Sequence, residues 1–201
     1  VNIADPANPT AVARADAGDY VNDVVVSDGY AYLAAGAEGG IARGTLVIVD
    51  VSDPTNPGTP ITVELEEHAT GIAVAGSYAF LAAGTMGLAM VDIADPATPG
   101  EPIYRPLSSS GYDAVDVSVT GSYAFVAAGS GGELQIIDLS EPEDFNPPAT
   151  TRKSLTGDGV AIAVDGDYAY VTTHVPTLEV VDISDPSAPF TADTVALEDQ
   201  G

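Results

Sequence analysis

The sequence predicts an all-β chain built from four-stranded antiparallel blades arranged as a β-propeller, on three observations. The first is a phrase that closes strands: "VDVSDPTNPGTP" begins at Val49, "VDIADPATPG" at Val91 and "VDISDPSAPF" at Val181. A looser copy, "IDLSEPEDFNPP", begins at Ile137, and "VNIADPANPT" opens the chain at Val1. The second is a phrase lying between these, "GSYAFLAAG" and its variants, whose tyrosines Tyr30, Tyr78, Tyr123 and Tyr168 are 48, 45 and 45 residues apart. The third is chemistry. Alternating apolar runs separated by Gly, Pro, Asn and Asp are strand and turn material, and a period near 45 residues is that of one propeller blade.

Each unit reads strand by strand. Its first strand is short and apolar, as in Val24–Val26, Ile72–Val74, Val117–Val119 and Ile162–Val164. It ends in Asp28-Gly29, Gly76-Ser77, Gly121-Ser122 or Gly166-Asp167, which are two-residue hairpin turns of the primed types, where glycine accepts positive φ. The second strand sets aromatics on one face and small or aliphatic residues on the other, with Tyr78 and Phe80 opposite Ala79 and Leu81. The third, in "TLVIVDVS", "LAMVDIA", "LQIIDLS" and "LEVVDIS", is apolar on both faces, as a sheet packed between neighbouring sheets requires. Proline then stops it, because proline lacks an amide donor, and the Asp before it turns the chain by bonding nearby amides. The fourth strand is polar and variable, as in "PITVELEE" and "EPIYRPL".

"LVIVDVSDPTNP" at Leu46–Pro57 resembles the LVIVD repeat, and the resemblance extends over essentially the whole chain. It implies a β-propeller in a secreted or surface-attached protein, extracellular or on the cell surface, and implies little about activity. The corner at Ser140–Pro148, "SEPEDFNPP", is longer than the pattern.

The strand count predicts four full blades plus a half blade, part of a larger ring: a half blade over 1–18, then blades over about 19–67, 68–110, 111–157 and 158–201. Val1–Thr10 reads as a third strand with no second strand before it, and the chain stops at Gly201 where a first strand is due. The expectation is an open arc, or a ring completed by polypeptide outside these 201 residues, because raw blade edges expose apolar surface. A chain opening on Val is expected to be processed, truncated or excised.

Thirty Asp and Glu against five Lys and Arg give a net charge of −25. That charge repels phosphates and anionic lipid, so neither nucleic acid nor a membrane is expected as partner, and no apolar run is long enough to insert. A protein, a glycan or self-assembly remains. The acidity fits three readings: solubility, a salt-rich (halophilic) habitat, or many weak calcium sites. There is no cysteine, so disulfides and thiolate chemistry are excluded.

Candidate site residues fall on the propeller face that carries the connections from fourth to first and from second to third strands. His68 precedes a first strand, and His174 replaces the glycine that ends other second strands. They are either separate loop histidines or a ligand and a base brought together by the fold. Asp23 and Asp116 share one position, where other units have Gly71 and Ala161; they are candidates for calcium at the channel mouth or solvated channel aspartates. Glu66, Glu67, Asp113 and Asp158 add acidity to the same face as part of a ligand surface. Asp50, Asp92, Asp138 and Asp182, with Asn2 in the matching place, read as acceptors for amides at each corner. The loop holding Gly36, Glu38, Gly39 and Gly40 is glycine-rich, but no helix follows to make a phosphate site.

No G-x-S-x-G, H-E-x-x-H, P-loop or EF-hand pattern is present, so no catalytic residue is identified by motif. The leading expectation is therefore a non-catalytic extracellular binding or structural module presenting loops to a protein or glycan, or packing in a surface assembly. The alternative is a metal-dependent hydrolase or lyase with its site at the channel mouth near Asp23, Asp116 and His68.

One consequence of the charge is measurable without a ligand. Like charges at this density oppose compaction, and screening relieves them. Melting temperature is expected to rise with sodium chloride. A flat or falling series in both sodium chloride and calcium refutes the electrostatic argument, whereas a response to micromolar calcium alone marks specific sites.

Overall fold

The structure, a computed structural model, describes residues 1, 4, 7, 8, 10–36, 43–107, 113–140 and 151–197. Asn2, Glu38, Gly39, Gly40 and the long corner after Ser140 lie outside them. The described residues form sixteen strands in four antiparallel sheets and no helix. Blade one holds β1 (Val21–Ser27), β2 (Tyr30–Ala35), β3 (Thr45–Asp50) and β4 (Ile61–Glu64). Blade two holds β5 (Gly71–Ala75), β6 (Tyr78–Ala82), β7 (Leu88–Asp92) and β8 (Ile103–Arg105). Blade three holds β9 (Ala114–Thr120), β10 (Tyr123–Ala128), β11 (Glu133–Asp138) and β12 (Thr151–Ser154). Blade four holds β13 (Gly159–Asp165), β14 (Tyr168–Thr173), β15 (Thr177–Asp182) and β16 (Phe190–Ala196). In every sheet the strands pair in sequence order.

The turn chemistry fixes the register. Asp28 and Gly29 both have positive φ, 49° and 82°, which is the type I′ hairpin; Gly76, Gly121 and Gly166, each at 56°, lead type II′ turns. Those turns place Tyr30 opposite Ser27 and Tyr123 opposite Thr120. From there the alternation sends each aromatic pair forward onto the next blade.

The core is three seals between adjacent blades. Tyr32, Leu46 and Ile48 on the front of blade one pack against Ala79, Leu81 and Val91 on the rear of blade two. Phe80, Leu88 and Met90 meet Ala124, Val126 and Ile137. Phe125, Leu134 and Ile136 meet Ala169, Val171 and Val181. The fronts carry aromatic and long aliphatic side chains, and the rears set Ala and Val among single Leu or Ile residues, which lets the sheets interdigitate. Inner strands β1, β5, β9 and β13 touch in succession. Among the described residues no apolar cluster joins blade four to blade one, so the arc is open.

Polar bonds cross the same seams. Asp23 accepts the Ile72 amide at 2.9 Å and Asp116 accepts the Ile162 amide at 2.8 Å, each reaching from one inner strand to the next. At the seam between blades two and three the Asp position is Gly71. A Cβ there would lie 2.3 Å from Asp116 Oδ1 and 2.9 Å from its Cα, so only glycine fits. Asn22 donates to the Ala69 carbonyl at 2.8 Å and Thr70 to the Val115 carbonyl at 2.6 Å.

The corners behave as their repeat implies. Asp50 accepts the Ser52 amide and hydroxyl at 2.9 and 2.6 Å, and Asp182 does the same with Ser184 at 3.0 and 2.6 Å. Asp92 takes the Ala94 amide and Asp138 the Ser140 amide, both at 2.8 Å. The Asp before proline builds a second turn, with Asp53 bonded to Thr55 and Asp185 to Ser187.

Of the half blade expected over 1–18, Asn2 and Ile3 lie outside the described residues; among the described ones Thr10 makes a bridge and Ala17 packs on the rear of blade one.

The two kinds of aspartate titrate in opposite directions. Side-chain and then backbone bonds from Ser52 and Ser184 hold Asp50 and Asp182 below the ordinary 3.8, and the Ser140 amide does so for Asp138. Burial pushes Asp116 above 3.8, against the Ile162 and Val117 amides that pull it down, with the Asp23 charge adding to the rise. The signs follow from linkage: the corner carboxylates stabilise the fold above 3.8, and this is lost as pH falls through their lower folded values. Asp116 does the reverse, relieving its burial penalty as pH falls from its raised folded value towards 3.8. Carboxyl carbon NMR is expected to give midpoints below 3.8 for Asp50, Asp138 and Asp182 and above it for Asp116. One shared midpoint for all four would contradict these geometries.

Candidate functional site

The connections that enter first strands and leave second strands meet in a cleft of about 340 Å³ at the mouth of the arc's central channel. Five of the residues expected on this face line it: Glu67, His68, Asp113, Asp158 and His174. The two histidines come from opposite sides, His68 from the connection into blade two and His174 from the end of β14 in blade four. Curvature of the arc brings them into one cleft although their blades are not adjacent.

Each acidic side chain is positioned by the turn it faces. Glu67 accepts the Thr85 amide at 2.9 Å and hydroxyl at 2.6 Å, filling the turn between β6 and β7. Asp113 accepts the Ser130 hydroxyl at 3.1 Å, while its carbonyl takes the Gly129 amide at 2.9 Å. Asp158 accepts the Gly131 amide at 3.2 Å, and its carbonyl takes the His174 amide at 2.9 Å. This last bond ties the backbone of His174 to the first-strand connection of its own blade.

His68 is held by close packing. A Cβ on Gly44 would lie 2.3 Å from the Glu67 carbonyl oxygen and 2.8 Å from the His68 Cα. A Cβ on Gly36 would lie 3.3 Å from the same Cα. The two glycines thus let the ends of one loop clasp the backbone of His68, a role that their sequence context does not announce.

The other expected residues sit elsewhere. Asp23 and Asp116 do not line the cleft, and their oxygens accept the inter-blade amides and the amides of their own neighbours Val24 and Val117. Glu66 is exposed outside it, with its amide donating to the Tyr104 hydroxyl at 2.8 Å. Among the described residues no three His, Asp or Glu side chains gather as metal ligands. Sequence reading missed Thr70, Thr85 and Ser130, which line the cleft. The repeat alignment holds the only signal for Thr70: it is polar where Val115 and Val160 are apolar.

The cleft is acidic throughout. No Lys or Arg is among its described lining residues. Arg43 and Arg152 pair with Glu64 and Glu133, Arg105 is buried between blades, and Arg14 lies on the rear of blade one.

Solved structures with this fold are enzymes in several cases. The periplasmic gluconolactonase PpgL of Pseudomonas aeruginosa superposes with a TM-score of 0.73 at 15% identity, over 90% of this chain and 58% of that one. A candidate 6-phosphogluconolactonase of Bacteroides fragilis gives 0.71 at 13% identity, over 89% and 57%. Glutaminyl cyclase of Myxococcus xanthus gives 0.55 at 15%, over 86% and 69%. The chain therefore spans less than two thirds of the lactonase-type structures. No curated protein matches it in sequence. These likenesses correct the leading expectation of a non-catalytic module: solved structures that share the fold include enzymes, which agrees better with the alternative, a metal-dependent hydrolase or lyase.

Among the described residues no helix is long and apolar enough to cross a membrane. The LVIVD repeat matches four times, over residues 18–63, 67–103, 111–146 and 156–196, each match beginning near the start of a blade. The chain belongs to the LVIVD repeat family.

Proposed function

We propose that the cleft at the channel mouth is a hydrolytic site that opens an uncharged lactone. The observation that carries this reading is the gathering of His68 and His174 from non-adjacent blades into one cleft beside Asp113 and Asp158. Lactonase-type structures of the same fold support it. In this reading His68, the clasped histidine, removes a proton from water as the water attacks the lactone carbonyl carbon. The tetrahedral intermediate collapses by breaking the ring C–O bond, and the proton returns from the imidazolium to the departing alkoxide. His174 orients the ring oxygen. Glu67, Asp113 and Asp158 line the same cleft around the two histidines.

The charge of the cleft selects among lactones. A phosphorylated substrate needs a cation or an array of amides, and the described lining offers neither Lys nor Arg but three carboxylates. A neutral sugar lactone is the fitting class. The periplasmic likeness and the repeat family favour an exported protein.

Glucono-1,5-lactone opening, followed by acid release above the spontaneous rate, tests this. Acceleration is expected, and His68→Asn is expected to lose about 100-fold or more, the range for removing a general base. His174→Asn should lose less. A rate equal to that of buffer, or full activity in both variants, overturns the reading.

A further inference from the structure

We propose that the groove between blades one and two, on the face opposite the cleft, binds a primary alkylammonium group through Asp28, Tyr30 and Tyr32. The inference stands apart from the hydrolytic reading, because the cleft is built from first-strand entrances and this groove from first-strand exits.

The groove has a volume of about 280 Å³. One wall is the hairpin between β1 and β2, with Ser27, Asp28, Tyr30 and Tyr32. The other is blade two, with Val74 on β5, Ser77 in the hairpin after it, and Ile93 and Pro96 at the corner after β7. The repeat shows which of these residues are particular to this seam. The Asp28 position, first in the hairpin turn, is glycine in the other blades, at Gly76, Gly121 and Gly166. The Tyr32 position is Phe80 and Phe125 in the two following seams. Packing a seam therefore requires neither a carboxylate nor a phenol at these positions, and this seam has both.

The turn does not require the charge either. Asp28 is the one described non-glycine residue with positive φ, 49°, and Gly29 follows at 82°. Asn serves that position of a type I′ turn as well as Asp does. Corner aspartates use their oxygens within their own turns, Asp50 on Ser52 and Asp53 on Thr55, at 2.6 to 2.9 Å. Among the described residues Asp28 accepts a single hydrogen bond, from the Ser27 hydroxyl to Oδ2 at 3.2 Å, and it is exposed.

Tyr32 is the buried part of the site. It is only 3% exposed yet lines the groove, and its ring centroid lies 6.3 Å from that of Tyr30 at an interplanar angle of 42°. Burial first, then the Asp28 charge, then Tyr30 raise the Tyr32 phenol above its ordinary 10.0, so the hydroxyl keeps its proton at neutral pH.

These groups fit one ligand chemistry. A primary ammonium carries three donors and a positive charge. The Asp28 carboxylate and the Ser27 and Tyr32 hydroxyls offer acceptors, tyrosine faces attract cations, and no Lys or Arg is among the described lining residues. Val74, Ile93 and Pro96 give an apolar wall on which a methylene stem can lie. The volume falls below the about 300–1,000 Å³ of sites for drug-sized ligands, which suits a short stem. A net charge of −25 draws cations to the surface and repels anions. The ammonium belongs either to a free amine or to a lysine of a partner protein, and the test separates the two.

The test is a titration of the whole chain with n-butylammonium chloride at fixed ionic strength, following tyrosine ring resonances by NMR. Saturable shifts of Tyr30 and Tyr32 are expected, and n-butanol should produce none. Asp28→Asn keeps the I′ turn and Tyr32→Phe copies the other seams, so both variants should retain the circular dichroism of the native chain. Asp28→Asn is expected to weaken binding about tenfold or more, the loss of one charge-assisted bond, and Tyr32→Phe less. Tighter binding of acetyl-lysine methylamide than of butylammonium assigns the site to a partner's lysine, and the reverse order assigns it to a free amine. No saturable shift with either amine, equal shifts with butanol, or an unchanged affinity in Asp28→Asn would each overturn the proposal.

Discussion

The face-to-face seam between successive blades is the constraint on which the rest of this molecule depends. A single four-stranded sheet of this size cannot bury both of its faces, so the blade is stable only as one of a stack. Large side chains from one front fill the spaces between Ala and Val on the next rear, and the seam is pinned near the channel by a carboxylate or hydroxyl that reaches one strand further. Every feature of the candidate site is downstream of that stacking. The cleft exists because three inner-strand entrances, those of blades two, three and four, are held side by side, and its two histidines share it because the angle between blades bends the arc.

The same seam explains why acidic residues are so unevenly employed. Thirty carboxylates are present, and among the described residues most are exposed. A few are structural, at corners and seams, where an amide donor offsets the cost of fixing them. Asp116 is the extreme case: two amides hold it, and burial still pushes its carboxyl up. Three more are set into turns around the cleft. The consequence for the cleft is a described lining that sets three carboxylates beside two histidines and holds no Lys or Arg.

Much of the fold was legible in the residues. The glycine-containing pairs after each first strand named the hairpins, the alternating aromatics named one face of the second strand, and the repeated Asp at the end of the third strand named an amide acceptor. Local chemistry decides each of these, so a linear reading suffices. What depended on distant contact was not legible. Asp23 and Asp116 looked like open channel carboxylates, because nothing local shows that Ile72 and Ile162 amides lie opposite. Glu66 and Glu67 are adjacent in sequence, yet only Glu67 lines the cleft, because the chain bends at these two residues and leaves Glu66 exposed outside it. His68 and His174 line one cleft, a convergence that depends on the curvature of the arc and leaves no mark in the local sequence.

Amide hydrogen exchange of Ile72 and Ile162 measures the stitching of the seams most directly. In the native chain both amides should be among the protected ones, although each faces an aspartate of another blade. In Asp23→Ala the Ile72 amide should exchange about tenfold faster or more, the equivalent of one charge-assisted bond, while Ile162 keeps its protection; Asp116→Ala should do the converse. If neither substitution changes its partner amide, the carboxylates do not hold the blades together and the account of the seams is wrong.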